Sequence, residues 1–422
     1  MASSEMPGFH RLEPGKRLEK VKEFAGLTEE EAGLVESTGA LDISAASQMI
    51  ENVIGTFELP FGIATNFLVN GRDYLIPMVL EEPSVVAGAS FAAKLARAGG
   101  GFEAGSDEPV MIGQVQLLGV RDAAKARQEI MWHKDEIVDI CNKKDSMLVK
   151  LGGGLKDVEV RELAGMLVVH LHVDVRDAMG ANAVNTMSEA VSPYLERLTG
   201  GHARLRIISN LAVKRLARAR AVWKKQALEE SVEGMKGGEI ADAILDAYAF
   251  AYADEYRCAT HNKGVMNGID AVCIATGNDF RALEAGAHTY AGVKGVKPLT
   301  KYYKDGNGDL VGEIELPMAV GIIGGSMKTN PLARVALKIL GVKSSSELAQ
   351  VMATVGLAQN FAAIRALATE GIQKGHMRLH ARNIALGAGA REEQVDGVVG
   401  RMVESGNISF SSAKEILESY EL

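Results

Sequence analysis

Cysteine is scarce in this sequence. Its 422 residues include three cysteines, Cys141, Cys258 and Cys273, which are far apart and form no CxxC pair. A disulfide framework is typically built from an even, closely spaced set, and a cysteine-based zinc site from CxxC-type pairs. The pattern therefore argues against both and favours a reducing, cytoplasmic compartment.

A positive net charge and long apolar runs are also missing. The formal net charge is -8 at pH 7, and an acidic chain has little attraction for nucleic-acid phosphates or anionic lipids. No run of 18 uncharged apolar residues stands out, and the first twenty residues show no apolar core of a signal peptide. We therefore expect no nucleic-acid partner and no membrane partner.

The residues that are present predict a chain of mixed helices and strands. The length predicts two or three domains of roughly 150 residues each. The polar segment 102–109 is a plausible boundary, and the hundred residues after it alternate between strand and helix patterns. From residue 211 onward the patterns favour helices, apart from a hairpin around Asp305–Asp309.

One predicted strand leads directly into a candidate site. The apolar run Asp73–Leu80 predicts a buried strand, and the small residues that follow predict a helix with Pro83 at its first position. Glu82 would then lie at the mouth of that helix.

Two histidines near the C-terminus have the spacing of a metal-binding helix. His376 and His380 are four residues apart, so both could lie on one helix face. The zinc-protease pattern also needs a glutamate directly after the first histidine, and Met377 stands there instead. We predict no metal at this pair and no metal cofactor elsewhere in the chain.

Single residues leave their roles open. Lys263, among small and apolar residues, could polarise a carbonyl group, or it could be a solvated surface lysine. Asp177 and Asp279 stand beside glycines at predicted helix starts, where helix capping alone could explain them. No complete GxGxxG motif occurs, so a nucleotide would bind outside a Rossmann fingerprint.

Six short motifs together narrow these alternatives. In chain order they are ENVIG at Glu51–Gly55, EEPSVVAGAS at Glu81–Ser90, DAMGAN at Asp177–Asn182, THNKGVMNGI at Thr260–Ile269, TGNDFRALEAGAH at Thr276–His288 and GHMRLHARN at Gly375–Asn383. The series closely resembles the 3-hydroxy-3-methylglutaryl-coenzyme A reductase family in its soluble class II form. The resemblance extends over nearly the whole chain.

The resemblance implies an α+β fold with a discontinuous main domain. A large, mainly helical domain is expected at 1–107 and 214–373, with a ferredoxin-like α/β domain for the nicotinamide cofactor inserted at 108–213. A small helical flap is expected at 374–422. The family's active sites lie between subunits, so the resemblance also implies at least a homodimer.

The resemblance assigns four catalytic residues for two hydride transfers that convert the thioester to mevalonate and free coenzyme A. Lys263 would stabilise the developing oxyanion, and Asp279 would hold that lysine by a charge-assisted hydrogen bond. Glu82 would give a proton to the carbonyl oxygen of the aldehyde. His376 would protonate the departing coenzyme A thiolate, and His380 has no assigned role.

The same resemblance assigns binding residues. The acyl group would contact Ser84, Asn210, Arg257 and Asn267, and the Arg257 guanidinium suits a free carboxylate. The cofactor would contact Asp145, Asp177, Ala178, Met179, Gly180, Ala181 and Asn182. NADH is favoured over NADPH, because a carboxylate at Asp145 could bond a ribose 2′-hydroxyl and would repel a 2′-phosphate.

Two other functions stay open at this point. A coenzyme A thioester hydrolase or acyltransferase could use the same residue types, but it would release coenzyme A without consuming NAD(P)H. A non-catalytic helical assembly protein would not need Lys263 at all. One departure from the family is near the N-terminus, where His10 stands in place of an arginine that contacts coenzyme A and Arg11 follows it.

Overall fold

The computed structural model describes residues 3–293, 295–369 and 381–419. Its strands form two sheets. They are β1 (Phe61–Val69), β2 (Arg72–Val79), β3 (Phe102–Ser106), β4 (Val110–Leu118), β5 (Gly154–Leu163), β6 (Met166–Asp174), β7 (His202–Ser209), β8 (Leu216–Trp223), β9 (Thr300–Lys304) and β10 (Leu310–Pro317).

The helices lie before, between and after these strands. They are α1 (Pro14–Ala25), α2 (Glu29–Glu36), α3 (Ile43–Met49), α4 (Val85–Arg97), α5 (Ala123–Trp132), α6 (Lys134–Asn142), α7 (Ser146–Lys150), α8 (Ala181–Thr199), α9 (Lys225–Glu229), α10 (Gly237–Ala253), α11 (Glu255–Ala275), α12 (Phe280–Gly292), α13 (Pro331–Leu340) and α14 (Ser345–Ala368). Short 3-10 turns cover Phe9–Arg11 and Gly325–Lys328, and the C-terminal helices cover 381–387, Glu392–Glu404 and Phe410–Glu418.

The strands of the smaller sheet are inserted, in the sequence, between two strands of the larger sheet. The six-stranded sheet has the order β2-β1-β3-β8-β10-β9, and the four-stranded sheet has the order β5-β6-β4-β7. β3 and β8 are antiparallel neighbours, and all four strands of the smaller sheet lie between them in the sequence. The α+β fold class is confirmed, and the topology supports the proposed domain boundaries at 108 and 213.

The six-stranded sheet was not predicted, and two of its strands fall where the sequence pattern indicated otherwise. The segment expected to be a boundary loop at 102–109 contains β3, and the region expected to be helical contains β8. β8 consists largely of Leu, Ala and Arg, which favour helices. Its burial nevertheless alternates with period two, because Arg218 and Arg220 face their carboxylate partners Glu315 and Glu313 on β10. Strand pairing therefore overrides local propensity here.

The long helix α14 is the central support of the large domain. It is long and apolar enough to cross a membrane on composition alone, but 72% of its apolar window is buried inside the protein. Glycines let α11 and α4 approach it closely. A Cβ atom at Gly268 would lie 2.9 Å from the side chain of Gln359, and one at Gly88 would lie 3.3 Å from Ala362. The helix that carries Lys263 is thus fixed against the core.

The C-terminal helices form a small unit with its own apolar core. Ala381, Ala385, Val395, Val398 and Met402 are buried within it. This arrangement supports the proposed flap. His376 and His380 lie outside the described residues.

A pair of carboxyl groups between α11 and α12 predicts a pH-dependent stability. Burial, and the Glu284 carboxyl beside it, raise the pKa of Asp270 to about 8. In the unfolded chain the pKa of an aspartate is about 3.9. The folded state therefore binds the extra proton, and its stability falls as the pH rises from about 4 to about 8. We expect Asp270→Asn to remove this fall and to raise the melting temperature at pH 8 by several degrees.

Thermal unfolding between pH 5 and pH 8.5 measures this effect. Asp246→Asn is a matched control, because Asp246 is an exposed aspartate on α10. If the melting temperatures of the wild type and of Asp270→Asn changed with pH by the same amount across this range, the assignment would be contradicted.

Candidate active site

The His-Asn-Lys motif on α11 consists of two buried anchors and one exposed cation. His261 and Asn262 are each 2% exposed, and the side chain of Lys263 is 58% exposed. His261 Nε2 lies 2.6 Å from Thr300 Oγ1, and Asn262 Oδ1 accepts a hydrogen bond from the Leu299 backbone at 2.9 Å. Burial lowers the pKa of His261 to about 3, so this ring is neutral. The anchors hold α11 against β9 and fix the base of the lysine.

Lys263 makes its ion pair with Glu82. The two atoms, Lys263 Nζ and Glu82 Oε2, are 2.9 Å apart although the residues are 181 positions apart in the sequence. Asn267, one turn along α11, donates from Nδ2 to the same oxygen at 3.4 Å. The structure therefore brings a cation, a carboxyl group and an amide from the predicted site residues together at one partly exposed point.

The turn that carries Glu82 differs from the sequence prediction. α4 begins at Val85 with Ser84 as its N-terminal cap residue, so Pro83 lies in the preceding turn and the prediction of Pro83 at the first helical position is wrong. Ser84 has φ 73 and its side chain makes no capping bond. Positive φ is strained for a residue other than glycine and occurs often at functional sites. Within the described residues the Ser84 hydroxyl has no hydrogen-bond partner, so it is available to a ligand.

A cleft of about 1140 Å³ opens beside this turn, between the N-terminal segment, β1 and α4. Its lining includes Glu82 and Ser84. It also includes three basic side chains, those of His10, Arg17 and Lys94. Three further carboxylates, those of Glu5, Glu36 and Glu81, line it as well, so the lining is mixed in charge. The cleft has room for a ligand beside the Lys263–Glu82 pair.

Asp279 lies elsewhere in the same chain. It caps α12, and its Oδ1 accepts from the backbone of Arg281 at 3.1 Å and from the Arg281 side chain at 3.2 Å. Lys263 precedes the end of α11 at Ala275 by about 18 Å of helix. Within one described chain, Lys263 contacts Glu82 and not Asp279.

The predicted cofactor turn is positioned by close backbone contacts. Gly180 has φ 102 and precedes α8, and a Cβ atom there would lie 2.5 Å from Val175. Only glycine fits this position. The N-terminus of α8 has no side-chain cap and presents free backbone N–H groups, which suit an anion such as a pyrophosphate.

A buried arginine joins this turn to the large domain. Arg215, 3% exposed, donates to the carbonyl oxygens of Ala178 at 3.2 Å and Met179 at 3.4 Å, and also to that of Val320. Burial lowers the pKa of Arg215 to about 10, which still leaves it charged at neutral pH. The cofactor turn is thus fixed at the seam between the two sheets.

The segment before Asp279 contacts the same seam. Asn278 Oδ1 accepts from the Gly321 backbone at 2.8 Å, and a Cβ atom at Gly321 would lie 2.6 Å from the backbone nitrogen of Met179. Asn278, the residue before Asp279, is therefore linked to the cofactor turn through Gly321.

Two aspartates assigned to the cofactor already have backbone partners. Asp177 Oδ1 accepts from the Ser345 backbone at 2.8 Å, at the start of α14, and Asp145 accepts from the Leu148 backbone at 2.9 Å as the cap of α7. The loop after α7 lies next to the turn, because Arg176 donates to the Gly152 carbonyl oxygen at 3.0 Å. Asp145 and Asp177 are therefore on adjoining segments.

Asn210 and Arg257 are not brought to the Lys263–Glu82 pair within the described chain. Asn210 is exposed after β7 and its backbone oxygen packs against Gly286 of α12. Arg257 lies in the first turn of α11, roughly 120° around the helix axis from Lys263. Their predicted roles in substrate binding stay predictions.

Comparison with known proteins decides the family. The sequence profile described as hydroxymethylglutaryl-coenzyme A reductase matches residues 13–381. The chain belongs to the hydroxymethylglutaryl-coenzyme A reductase family. A reductase of this name from Archaeoglobus fulgidus is 59% identical over 420 residues, which cover 99% of this chain and 94% of that protein. A probable reductase from Borreliella burgdorferi is 39% identical, covering 80% of this chain and 77% of that protein.

Solved reductase structures share the fold. A class II enzyme from Streptococcus pneumoniae, described as bound to NADPH in open conformations, has a TM-score of 0.82 and 43% identity, covering 97% of this chain and all of that one. Another structure of the Streptococcus pneumoniae reductase has a TM-score of 0.84 and 42% identity, covering 99% of this chain and all of that one. The predicted family, class, fold and oxidoreductase activity are confirmed.

Sequence reasoning missed several residues that support the candidate site of this reductase. His261 and Asn262 adjoin Lys263 in the motif, yet their anchoring role depends on partners on β9 and before it. Arg215 lies in no quoted motif. Beside Lys214 it resembles half of an ordinary basic pair, and no local signal marks it, because its carbonyl partners come from distant segments.

Proposed function

We propose that this reductase interconverts 3-hydroxy-3-methylglutaryl-coenzyme A with mevalonate and coenzyme A at the point where Lys263, Glu82 and Asn267 meet. The observation that carries the proposal is the 2.9 Å contact between Lys263 and Glu82 at the edge of the 1140 Å³ cleft. When bound, a nicotinamide cofactor supplies the hydride for each of two carbonyl reductions.

Each member of this group has a separate chemical task. The Lys263 ammonium stabilises negative charge on the carbonyl oxygen as hydride reaches the carbon. Glu82 would give the same oxygen its proton in the aldehyde step, after its carboxylate, which pairs with Lys263 in this structure, has itself taken up a proton. Asn267 shares Oε2 of Glu82 and so orients the carboxyl group.

The substrate's two ends fit the surroundings of this group. The Ser84 hydroxyl, which has no hydrogen-bond partner among the described residues, can bond the acyl group. The basic side chains of His10, Arg17 and Lys94 can contact the phosphates of coenzyme A. His10 can supply part of the contact that an arginine makes in the family. His376, outside the described residues, is proposed to protonate the coenzyme A thiolate.

A second copy of the chain is proposed to complete the site. Asp279 follows the end of α11, which lies about 18 Å along the helix from Lys263, so Asp279 cannot hold that lysine within one chain. Both side chains are substantially exposed. Large apolar side chains are also exposed nearby on α10 and α11, including Phe250 at 58% and Tyr256 at 85%. Such surface is typical of subunit interfaces. We infer a homodimer in which Asp279 of one chain reaches Lys263 of the other.

Mixed dimers test this arrangement. We expect Lys263→Met and Asp279→Asn to be nearly inactive alone, but subunit exchange between them should restore about a quarter of wild-type activity. Random exchange makes half of the dimers mixed, and each mixed dimer has one intact site out of two. Steady-state activity after exchange measures the recovery. If both residues serve a site within one chain, mixing restores nothing.

We propose NADH as the preferred cofactor. Asp145 caps α7, and the loop after α7 contacts Arg176, which precedes the cofactor turn. A carboxylate next to the ribose would repel a 2′-phosphate. Because the Streptococcus pneumoniae reductase is described as bound to NADPH, the two cofactors must be compared directly. We expect a higher kcat/KM with NADH, and we expect Asp145→Asn to shift the ratio at least fivefold toward NADPH while keeping the α7 cap. An unchanged ratio would contradict this role.

One assay tests the reaction itself. Absorbance of NADH and NADPH is followed with 3-hydroxy-3-methylglutaryl-coenzyme A, and then in reverse with mevalonate, coenzyme A and the oxidised cofactors. A hydrolase or acyltransferase would release coenzyme A with no change in absorbance, which would overturn the proposal. We further propose a cytoplasmic location, with no nucleic-acid or membrane partner, as the acidic net charge indicates.

A further inference from the structure

One face of the four-stranded sheet carries histidines and carboxylates that the reductase chemistry does not use. β6 contains His170 and His172, which alternate with core residues and so point away from α8. On the neighbouring β5, Glu159 lies across from His170 and Asp157 lies across from His172. Four side chains with metal-ligand atoms therefore share one face of two adjacent strands.

The ligand atoms are close together. His172 Nε2 is 3.7 Å from Glu159 Oε2, and His172 Nδ1 is 3.8 Å from Asp157 Oδ2. One such atom from each of Glu159, His170 and His172 lies within 4.8 Å of the other two. Two ligand atoms on a tetrahedral zinc ion are roughly 3.4 Å apart, so small side-chain movements would close this set around an ion.

A buried nitrogen without a partner points to a missing ligand. His172 is 6% exposed, and its Nε2 is buried with no hydrogen-bond partner among the described residues. Buried polar atoms are normally satisfied, and each exception calls for an explanation. This nitrogen faces the Glu159 carboxylate, whose side chain is 51% exposed and leaves a path from solvent. Gln114 lies 2.9 Å from His170 Nε2 and orients that ring.

We propose that Glu159, His170 and His172 bind one divalent transition-metal ion of the zinc type. Two imidazoles and a carboxylate are a ligand set that zinc favours. Asp157 faces the other ring nitrogen of His172, as carboxylates behind metal-binding histidines commonly do, and Lys134 holds Asp157 at 2.5 Å. The ion ties β5 to β6 and stabilises the inserted domain. It takes no part in the hydride transfers described above.

Zinc titration of the full-length protein tests the proposal. The protein is treated with a chelator, dialysed and titrated with ZnCl2 by calorimetry. We expect one zinc ion per chain with a micromolar or lower Kd, and a rise in melting temperature on binding. Glu159→Gln keeps the shape of the side chain and should weaken binding at least tenfold and lose the rise. Circular dichroism without metal checks that this variant folds like the wild type.

Two control variants separate this site from other zinc ligands. Glu162→Gln changes an exposed carboxylate on the same strand, and His380→Ala alters the histidine pair near the C-terminus. His380→Ala changes one histidine of that pair and leaves His376 in place. Both variants should bind zinc like the wild type. The proposal would be overturned if the wild type bound zinc no more tightly than Glu159→Gln does. It would also be overturned if His380→Ala lost zinc binding.

Discussion

Lys263→Met is expected to lower kcat by about 10²- to 10³-fold, the range seen when one group that stabilises an oxyanion is removed. Both the thioester step and the reduction of added mevaldehyde should be lost, because each reduces a carbonyl at the same ammonium. KM for the nicotinamide cofactor should change little, since the cofactor turn is on the inserted domain. Single-turnover kinetics with each substrate measure the two steps separately.

A matched variant controls for loss of an ion pair. Lys236 makes an ion pair with Glu229 at 2.9 Å, the same distance as that between Lys263 and Glu82. Lys236→Met should therefore leave kcat within about twofold, as expected for an exposed pair remote from the site. If Lys263→Met kept more than a tenth of wild-type kcat, Lys263 would be a surface lysine and the proposed site would be wrong.

Arg215→Met is expected to destabilise the fold by about 3–5 kcal/mol and to raise KM for the cofactor more than tenfold. The substitution leaves three carbonyl oxygens at the seam without their donor, and it removes one of two cationic side chains near the fully buried carboxyl of Asp174, the other being Arg176. The turn before α8 then loses its fixed position. Urea unfolding measures the first effect and steady-state kinetics the second.

Two further substitutions separate position from charge. Arg215→Lys retains the charge but cannot reach all three carbonyl oxygens, so it should give an intermediate KM for the cofactor. Arg220→Met is the control on β8, the strand that follows Arg215, because Arg220 is partly exposed and makes ion pairs at 3.7 and 3.8 Å, worth about 0–1 kcal/mol. A cofactor KM in Arg215→Met equal to that in Arg220→Met would refute the positioning role.

The motif resemblance assigned Glu82 and Lys263 to one site, but it paired Lys263 with Asp279, and local patterns could predict neither contact. Glu82 and Lys263 are 181 positions apart, and no periodicity connects them. The sequence also allowed Asp177 and Asp279 to be simple helix caps. In the structure Asp279 does cap α12, and Asp177 accepts a hydrogen bond from the start of α14. A carboxylate can make such a contact and still face a ligand, so the sequence could not choose between these roles.

The missed strands have a common physical reason. β3 is short and contains two glycine or alanine positions, and β8 is built from residues that favour helices. Both become strands because they pair with each other and with β10. Such long-range hydrogen bonds leave no mark in a local window of sequence. Burial of Arg215, which follows from the same packing, was equally beyond prediction.

The pairing of β3 with β8 has a consequence for how the chain folds. Ser106 and Ala217 are partners in the register, although about 110 residues lie between them. Closing so long a loop directly is slow, because chain entropy opposes the contact. If the inserted residues fold first, they bring the two strands together in advance. The order of folding should therefore run from the inserted unit outward, with the central strands of the large sheet joining late.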